Sequence, residues 1–291
     1  MKPAPFEYHV PATATEAVAL LEDLGDAAKV IAGGQSLVPM LAMRLARFEH
    51  LVDIGRIGEL QGVERHNGSL LVRATTRDAV IEHDAMVAEA VPLLALVTPM
   101  IGHFQIRNRG TVGGSLAHAD PAAEYPAVAT ALDASFEVLS SHGERLVAAA
   151  DFFDGIWSTA MAPDELLTAV RFPVWEGRCG FGAAEFARRH GDFAIAGAVA
   201  GVGLAPNGTI ERCAIALFGL GSVPVRASAA EAAITGQSIG AVSPDEIGRL
   251  AVGDVSDPGE DLHAPPGYRT RVGAAMAAKA WNQAVEEAGR A

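Results

Sequence analysis

The chain has 291 residues, 50% of them hydrophobic, so it is long enough to bury extensive cores in one large or two modest domains. Its formal charge of -13 at pH 7 and the lack of a clustered basic patch argue against a nucleic-acid partner. The sequence has neither the apolar core of a secretion signal nor the roughly 18-residue apolar stretch of a membrane span, so we expect a cytoplasmic protein.

The first 60 residues predict a small α/β unit. Thr13 or Thr15 caps a helix of apolar residues at helical spacing that ends at Gly25. A short strand, Lys29–Ala32, then leads into the segment Gly33-Gly34-Gln35-Ser36. A helix and a further strand follow, which gives the order strand, glycine loop, helix, strand.

A second unit is predicted up to Pro173. We expect strands at 69–74, 136–139 and 166–172, and helices near 78, capped by Thr76, over 87–97 with a break at Pro92, and over 121–132. The segment from Ile101 to Ser115 is rich in turn residues and hydrogen-bond donors, yet it lies between two apolar helical segments. This composition predicts a binding loop rather than a linker.

After Pro173 the composition shifts toward Ala, Gly and Val. We expect a separate unit with strands at 180–188, 194–204 and 209–218 and helices at 227–235, 245–252 and 269–288. The two cysteines, Cys179 and Cys213, are interpreted as reduced thiols. Two cysteines cannot supply a four-thiolate iron–sulfur cluster, so any such centre must belong to another chain.

Two segments share a small-Gly-Gly-polar pattern, Ala32-Gly33-Gly34-Gln35-Ser36 and Val112-Gly113-Gly114-Ser115. Paired glycines allow successive backbone N–H groups to converge on an anion, so the two segments together could hold a pyrophosphate from both sides. Neither matches the Rossmann or P-loop pattern, and a single glycine pair is more often only a tight turn. Arg107 and Arg109 are further candidates for neutralising phosphate.

His118, Asp120 and Glu124 are three potential metal ligands within seven residues, but their spacing matches no closed zinc or calcium site. We interpret Asp120 as the N-cap of a helix that starts at Pro121, and we expect no metal site. Glu124, just after the second glycine pair, is suited to accept hydrogen bonds from the hydroxyl groups of a ligand.

Five segments in a fixed order resemble the FAD-binding medium subunit of the molybdenum hydroxylases, whose relatives include the medium subunit of carbon monoxide dehydrogenase and the flavin segment of xanthine dehydrogenase. The resemblance covers nearly the whole chain, and the ordered set is more specific than either glycine pair alone. The segments are AKVIAGGQSLVPMLAMRL, LVDIG, IGHFQIRNRGTVGGSLAHADPAAEYPAV, DELLTAVRFP and EFARRHGDFAIAGAV.

The resemblance implies an α+β fold with a two-subdomain FAD-binding domain of the vanillyl-alcohol-oxidase (PCMH) type. This domain is expected over residues 1–176, with subdomains of about 1–58 and 59–176. A smaller C-terminal domain with a three-stranded sheet and helices is expected over residues 177–291.

The resemblance also implies which residues bind FAD. Some relatives have a lysine that contacts FAD just before the Arg-Arg pair. This chain has Ala184-Glu185-Phe186 at that stretch, so we assign no FAD contact there. The implied cofactor-binding residues are Val30, Ile31, Ala32, Gly33, Gly34, Gln35, Ser36, Leu37, Ile101, Thr111, Val112, Gly113, Gly114, Ser115, Asp120, Glu124 and Leu167.

The implied activity is electron transfer by non-covalently bound FAD in a heterotrimeric molybdenum hydroxylase. No side chain of this chain is expected to be catalytic on the organic substrate. A large subunit would carry the molybdenum cofactor and a small subunit the [2Fe-2S] centres, in a dimer of heterotrimers, and FAD would pass electrons to an external acceptor. Two alternatives remain at this point, a flavin-free scaffold subunit and a stand-alone flavin oxidase.

Overall fold

The computed structural model describes residues 2–290; Met1 and Ala291, the outermost residues of the predicted domains, lie outside the described residues. Over the described part, none of the helices combines the length and the apolar character needed to cross a bilayer. The described residues form a three-, a five- and a four-stranded sheet in sequence order, together with a two-stranded ribbon, and we call the parts built on the three larger sheets the N-terminal, middle and C-terminal units.

The N-terminal unit is a parallel three-stranded sheet in the order β1-β3-β2. Its first helix, α1, buries Ala17, Val18 and Leu21 against the sheet, and its cap is Thr13, whose hydroxyl accepts from the amide of Glu16. The elements are β1 (Glu7–His9), α1 (Ala14–Leu24), β2 (Ala28–Ile31), α2 (Leu37–Met43) and β3 (His50–Asp53).

The middle unit is an antiparallel five-stranded sheet in the order β4-β5-β10-β6-β7, with short helices packed on it. Its strands are β4 (Val63–His66), β5 (Ser69–Arg73), β6 (Ser135–Ser140), β7 (Gly143–Ala148) and β10 (Leu166–Pro173), and β8 (Phe153–Gly155) pairs with β9 (Ser158–Thr159) outside the sheet. Its helices are α3 (Asp78–His83), α4 (Ala85–Ala90), α5 (Pro92–Val97), α6 (Phe104–Arg107), α7 (Val112–His118), α8 (Glu124–Ala131) and α9 (Ala149–Phe152).

The C-terminal unit is an antiparallel sheet in the order β11-β12-β13-β14. Three long strands carry it, as predicted, and a two-residue fourth strand extends its edge. The elements are β11 (Arg178–Phe186), β12 (Ala196–Leu204), β13 (Ile210–Phe218), β14 (Val225–Arg226), α10 (Ser228–Ile234), α11 (Pro244–Ala251) and α12 (Pro266–Arg290).

Both faces of the C-terminal sheet are covered, which explains why β12 is buried along its whole length. On one face, Phe181 and Ala183 join the core of the middle unit. On the other, α12 lies so close to β11 that a Cβ at Gly180 or Gly182 would collide with the helix backbone. The C-terminal sheet is therefore packed between α12 and the middle unit.

Two local predictions were wrong, and one strand was missed. Strand β1 was not predicted, because Glu7–His9 is too short and too polar to show alternation. Thr76 does not cap α3, since its hydroxyl instead donates to the carbonyl of Gly62. Helix α8 begins at Glu124 and not at Pro121, because the Asp120 carboxylate accepts from the amide of Ala122 and closes a turn there.

The close approach of α12 to β11 generates a prediction about stability. Gly182→Ala should lower the free energy of unfolding by about 3 kcal/mol, since its new Cβ meets the carbonyl oxygen of Ala280. The matched control is Gly289→Ala, at which a Cβ meets no heavy atom within 4 Å. Urea unfolding measures the free energy of unfolding of both variants. Equal midpoints for the two variants would contradict the packing described.

Candidate functional site

Two glycine-containing segments meet backbone to backbone where the N-terminal and middle units join. One is the turn between β2 and α2, and the other runs from Arg109 into α7. A Cβ at Gly33 would collide with the carbonyl oxygen of Arg109 and would lie 2.9 Å from Cα of Gly110. A Cβ at Gly114 would lie 3.8 Å from Cβ of Ala32. The structure therefore brings the two predicted glycine pairs together.

The turn after β2 presents a row of unpaired backbone donors. Across residues 2–290, the amide N–H groups from Gly33 to Leu37 have neither a backbone nor a side-chain acceptor. The turn is held instead by a 3.0 Å bond from the side-chain amide of Gln35 to the carbonyl of Gly33, and Gly34 adopts a φ of +72°. Successive free amides in such a turn form a concave site for an anion.

The amides of the second glycine pair, unlike those of the first, already have acceptors within the protein. Gly113 and Gly114 lie in the first turn of α7, and neither has a positive φ. The amide of Gly113 donates to the carbonyl of Ala74 at 2.9 Å, and that of Gly114 to the hydroxyl of Thr111 at 3.1 Å. These glycines permit close packing against Ala74 and the first turn, and they add no free amides to the site.

Arg107 is buried and paired within the protein. Its guanidinium donates to both carboxylate oxygens of Glu82, at 2.7 and 3.0 Å, and this pairing lowers the pKa of Glu82. Another guanidinium nitrogen donates to the carbonyls of Ile101 and Gly102, at 3.1 and 3.3 Å. Arg107 therefore positions the loop at Ile101 and is not free to neutralise a phosphate, whereas Arg109 is exposed.

Two carboxyls with raised pKa values lie at the junction of the middle and C-terminal units, where Glu124 is buried and Glu185 is partly buried. Burial, followed by the nearby charge of Glu185, raises the pKa of Glu124 to about 8. Burial likewise raises the pKa of Glu185 to about 7, and its Oε2 has no hydrogen-bond partner within residues 2–290. Near neutral pH the Glu124 carboxyl is therefore mostly protonated and the Glu185 carboxyl is about half protonated.

Glu185 was not predicted as a functional residue. Its strand, β11, places Phe181, Ala183 and Glu185 on one face, and the first two join the core of the middle unit. A single acidic residue on the buried face of an otherwise apolar strand was the signal available in the sequence. The functional importance of Glu185 depends on its interaction with Glu124. Sequence periodicity does not predict an interaction between residues on two distant elements.

Asp120 and His118 are held by a third side chain, Trp157. The indole N–H donates to the Asp120 carboxylate at 3.3 Å, and the His118 ring stacks on the indole with ring centroids 6.1 Å apart. Burial lowers the pKa of His118, and the charge of Lys29 adds to this effect. Burial also lowers the pKa of Lys29.

The remaining predicted residues differ in what they offer. Val30 packs toward the core beneath α1, and Leu167 is only 3% exposed in the core of the middle unit. The side chain of Ile31 instead packs over the glycine turn, because a Cβ at Gly34 would lie 3.3 Å from its Cδ1. Ile101 is partly buried beside Arg107. Val30 and Leu167 therefore support the site from behind.

Comparison with known proteins identifies the family of the chain. Residues 4–175 match the family described as the FAD binding domain in molybdopterin dehydrogenase, and residues 183–284 match the CO dehydrogenase flavoprotein C-terminal domain. The chain belongs to this family of FAD-binding subunits. The resemblance seen in the sequence and the predicted α+β fold are both confirmed. The FAD-binding subunit is a subunit of an oxidoreductase.

The similarity extends over the full length of the relatives. The FAD-binding subunit is 36% identical to the caffeine dehydrogenase subunit beta of Pseudomonas sp. strain CBB1, over 98% of this chain and 97% of that protein. It is 34% identical to the carbon monoxide dehydrogenase medium chain of Hydrogenophaga pseudoflava, over 98% of each. The solved CO dehydrogenase of Oligotropha carboxidovorans superposes with a TM-score of 0.95 at 33% identity, covering 99% of this chain and 100% of that one.

The backbone contact at Gly33 generates a prediction about cofactor loading. Gly33→Ala should yield a folded chain that retains less than about a tenth of the wild-type FAD, because the turn must move away from Arg109 to admit a Cβ. Gly155→Ala is the control, since a Cβ there meets nothing within 4 Å. Visible absorbance per chain measures the FAD, and circular dichroism checks the fold. Full loading of the Gly33→Ala variant would refute this role for the contact.

The buried acid pair predicts how stability depends on pH in the FAD-free chain. Because the folded-state pKa of Glu124 is raised to about 8, the native state binds more protons than the unfolded state, and stability falls as pH rises from about 4.5 to about 8. Glu124→Gln should therefore be more stable than wild type by a few kcal/mol near pH 8.5, with little difference near pH 4.

Urea unfolding at both pH values measures the difference. The exposed Glu144 provides the control Glu144→Gln, which should match wild type at each pH. An advantage of Glu124→Gln that is equal at both pH values would show that Glu124 is already ionised in the native state.

Proposed function

We propose that this FAD-binding subunit transfers electrons within a molybdenum hydroxylase, with FAD held non-covalently between its N-terminal and middle units. The observation that supports this most strongly is the row of unpaired amides from Gly33 to Leu37 beside the second glycine segment. Such a row suits a pyrophosphate, which is the anionic part of FAD. A flavin-free scaffold would have no use for five consecutive unpaired donors.

The proposed binding residues fall into two groups. The turn after β2 would bind the pyrophosphate through its amides and the hydroxyl of Ser36, with Ser115 offering a second hydroxyl from α7. The segment from Thr111 to Gly114 would give the close-packed wall opposite, and Asp120 and Glu124 would bind polar groups further along the cofactor. Val30 and Leu167 would contribute through backbone atoms and packing, since both side chains face protein cores.

Glu124 and Glu185 fit the polar, hydroxylated part of such a cofactor. A protonated carboxyl can donate one hydrogen bond and accept others, and Glu185 Oε2 has an unused acceptor position. In this role the pair would orient the ligand and hold a proton beside it. Bound FAD would supply the redox chemistry, taking electrons from [2Fe-2S] centres and giving them to an external acceptor.

The redox partners are proposed to lie on other subunits. The chain has only two cysteines, Cys179 and Cys213, and Cys213 is buried beside Thr235 with a raised pKa. We therefore assign the [2Fe-2S] centres to a small subunit and the molybdenum cofactor to a large one, in a cytoplasmic dimer of heterotrimers. Relatives that act on caffeine and on carbon monoxide both have a subunit of this kind, so the organic substrate is assigned to the large subunit.

We also propose domain boundaries. Strand β10 ends at Pro173 and β11 begins at Arg178, which supports an FAD-binding domain over 1–176 and a C-terminal domain over 177–291. The change from a parallel to an antiparallel sheet between β3 and β4 supports subdomains of about 1–58 and 59–176.

The test is to purify the tagged chain from its native source, record the visible spectrum, release the cofactor with acid, and measure metals. We expect one FAD per chain, released intact, with molybdenum and about four iron atoms per FAD from two co-purifying subunits. The chain expressed alone should be yellow and free of iron and molybdenum.

Two results would overturn the proposal. A colourless chain that cannot be reconstituted with FAD would favour the scaffold role, although the partners would still co-purify. A yellow chain with no partner subunits that reduces oxygen with an organic substrate would favour a stand-alone oxidase.

A further inference from the structure

A cluster of two histidines and a glutamate lies on the N-terminal sheet, at the opposite end from the glycine turn. Glu7 and His9 are on β1, and the parallel register pairs Glu7 with His50, the first residue of β3. Because side chains alternate along a strand, Glu7, His9 and His50 lie on one face. The glycine turn follows the far end of β2, about 10 Å along the strand from Ala28, which pairs with His50.

The distances between the potential ligand atoms fit a small tetrahedral centre. Nε2 of His9 is 3.2 Å from Nδ1 of His50, and Nδ1 of His50 is 3.5 Å from Oε2 of Glu7. The three ligand atoms all lie within 4.8 Å of one another. Two ligands at 2.0–2.1 Å from a tetrahedral zinc ion are about 3.3–3.4 Å apart, so the two measured distances bracket the required value.

The cluster is accessible to solvent on the side of Glu7 and is partly buried on the side of His50. The side chain of His50 is 19% exposed and that of Glu7 is 74% exposed. His50 is therefore fixed by the sheet, while Glu7 can rotate from solvent to complete the set. Two imidazoles with one carboxylate favour zinc and its first-row neighbours over magnesium or calcium, which prefer oxygen ligands.

We propose that Glu7, His9 and His50 form a binding site for a divalent transition-metal ion of the Zn²⁺ type, with the fourth coordination position left to solvent. The bound ion links the edge strand β1 to the central strand β3. Its role is structural, because the site lies away from the glycine turn and the buried acid pair. It is also independent of the proposed electron-transfer function.

The test is calorimetric titration of the chelator-treated, FAD-loaded full chain with ZnCl₂ near pH 7.5. Wild type should bind one Zn²⁺ per chain. His50→Gln and Glu7→Gln should each weaken binding by at least about tenfold, since even loss of a residue that only supports a ligand commonly costs 10–100-fold. The control is His142→Gln, which changes an exposed histidine in the β6–β7 turn and should bind as wild type does.

Thermal unfolding gives a second readout. Zn²⁺ should raise the Tm of wild type and of the His142→Gln variant, and should have little effect on the Tm of the other two variants. Glu7→Gln changes a largely exposed side chain, so it keeps the test valid if His50→Gln does not fold. The proposal is wrong if wild type shows no saturable binding, or if zinc binds both cluster variants with wild-type affinity, which would place the ion elsewhere.

Discussion

The contact between the backbone at Gly33 and the backbone at Arg109 and Gly110 is the constraint on which the rest of the site depends. It joins the N-terminal and middle units at a separation that no other residue at position 33 permits. In the middle unit, main-chain hydrogen bonds fix the segment that carries this contact. The amide of Ala74 donates to the carbonyl of Thr168, and the amide of Gly113 donates to the carbonyl of Ala74. The free amides after β2 are therefore presented at a fixed distance from α7, without any ligand to hold them.

The electrostatic character of the site changes along its length. At the glycine turn the protein offers hydrogen-bond donors and favours an anion. At Glu124 and Glu185 it offers carboxyls whose pKa values are raised by burial, and the buried Oε2 of Glu185 has no hydrogen-bond partner within residues 2–290, which costs free energy unless a ligand or a proton satisfies it. A ligand with a pyrophosphate at one end and hydroxyl or ring N–H groups at the other complements both regions, and FAD is such a molecule.

The sequence predicted most of the fold but less of the site. Helix α1, the strand β2, the break at Pro92 and the three long C-terminal strands follow from periodicity and capping, which are local properties. Strand β1 did not, because it forms only by pairing with the distant β3. The juxtaposition of the two glycine pairs was inferred correctly from their shared pattern.

The roles within the site depended on contacts between residues far apart in sequence. The amides of Gly113 and Gly114 are satisfied by Ala74 and Thr111, and Arg107 is paired with Glu82. The charge of Glu185, on β11, raises the pKa of Glu124, on α8. Nothing in a local pattern reports whether a donor already has an acceptor. Sequence reasoning could therefore nominate these residues without distinguishing binding groups from supporting ones.

The central claim is that the amides from Gly33 to Leu37 bind the FAD pyrophosphate, and amide-resolved hydrogen exchange with and without FAD tests it most directly. The account predicts fast exchange at residues 33–37 in the FAD-free chain and strong slowing when FAD is bound. The amides from Val112 to Ser115 are already hydrogen-bonded in the protein and should be protected in both states. Equal exchange rates at residues 33–37 with and without bound FAD would contradict the account.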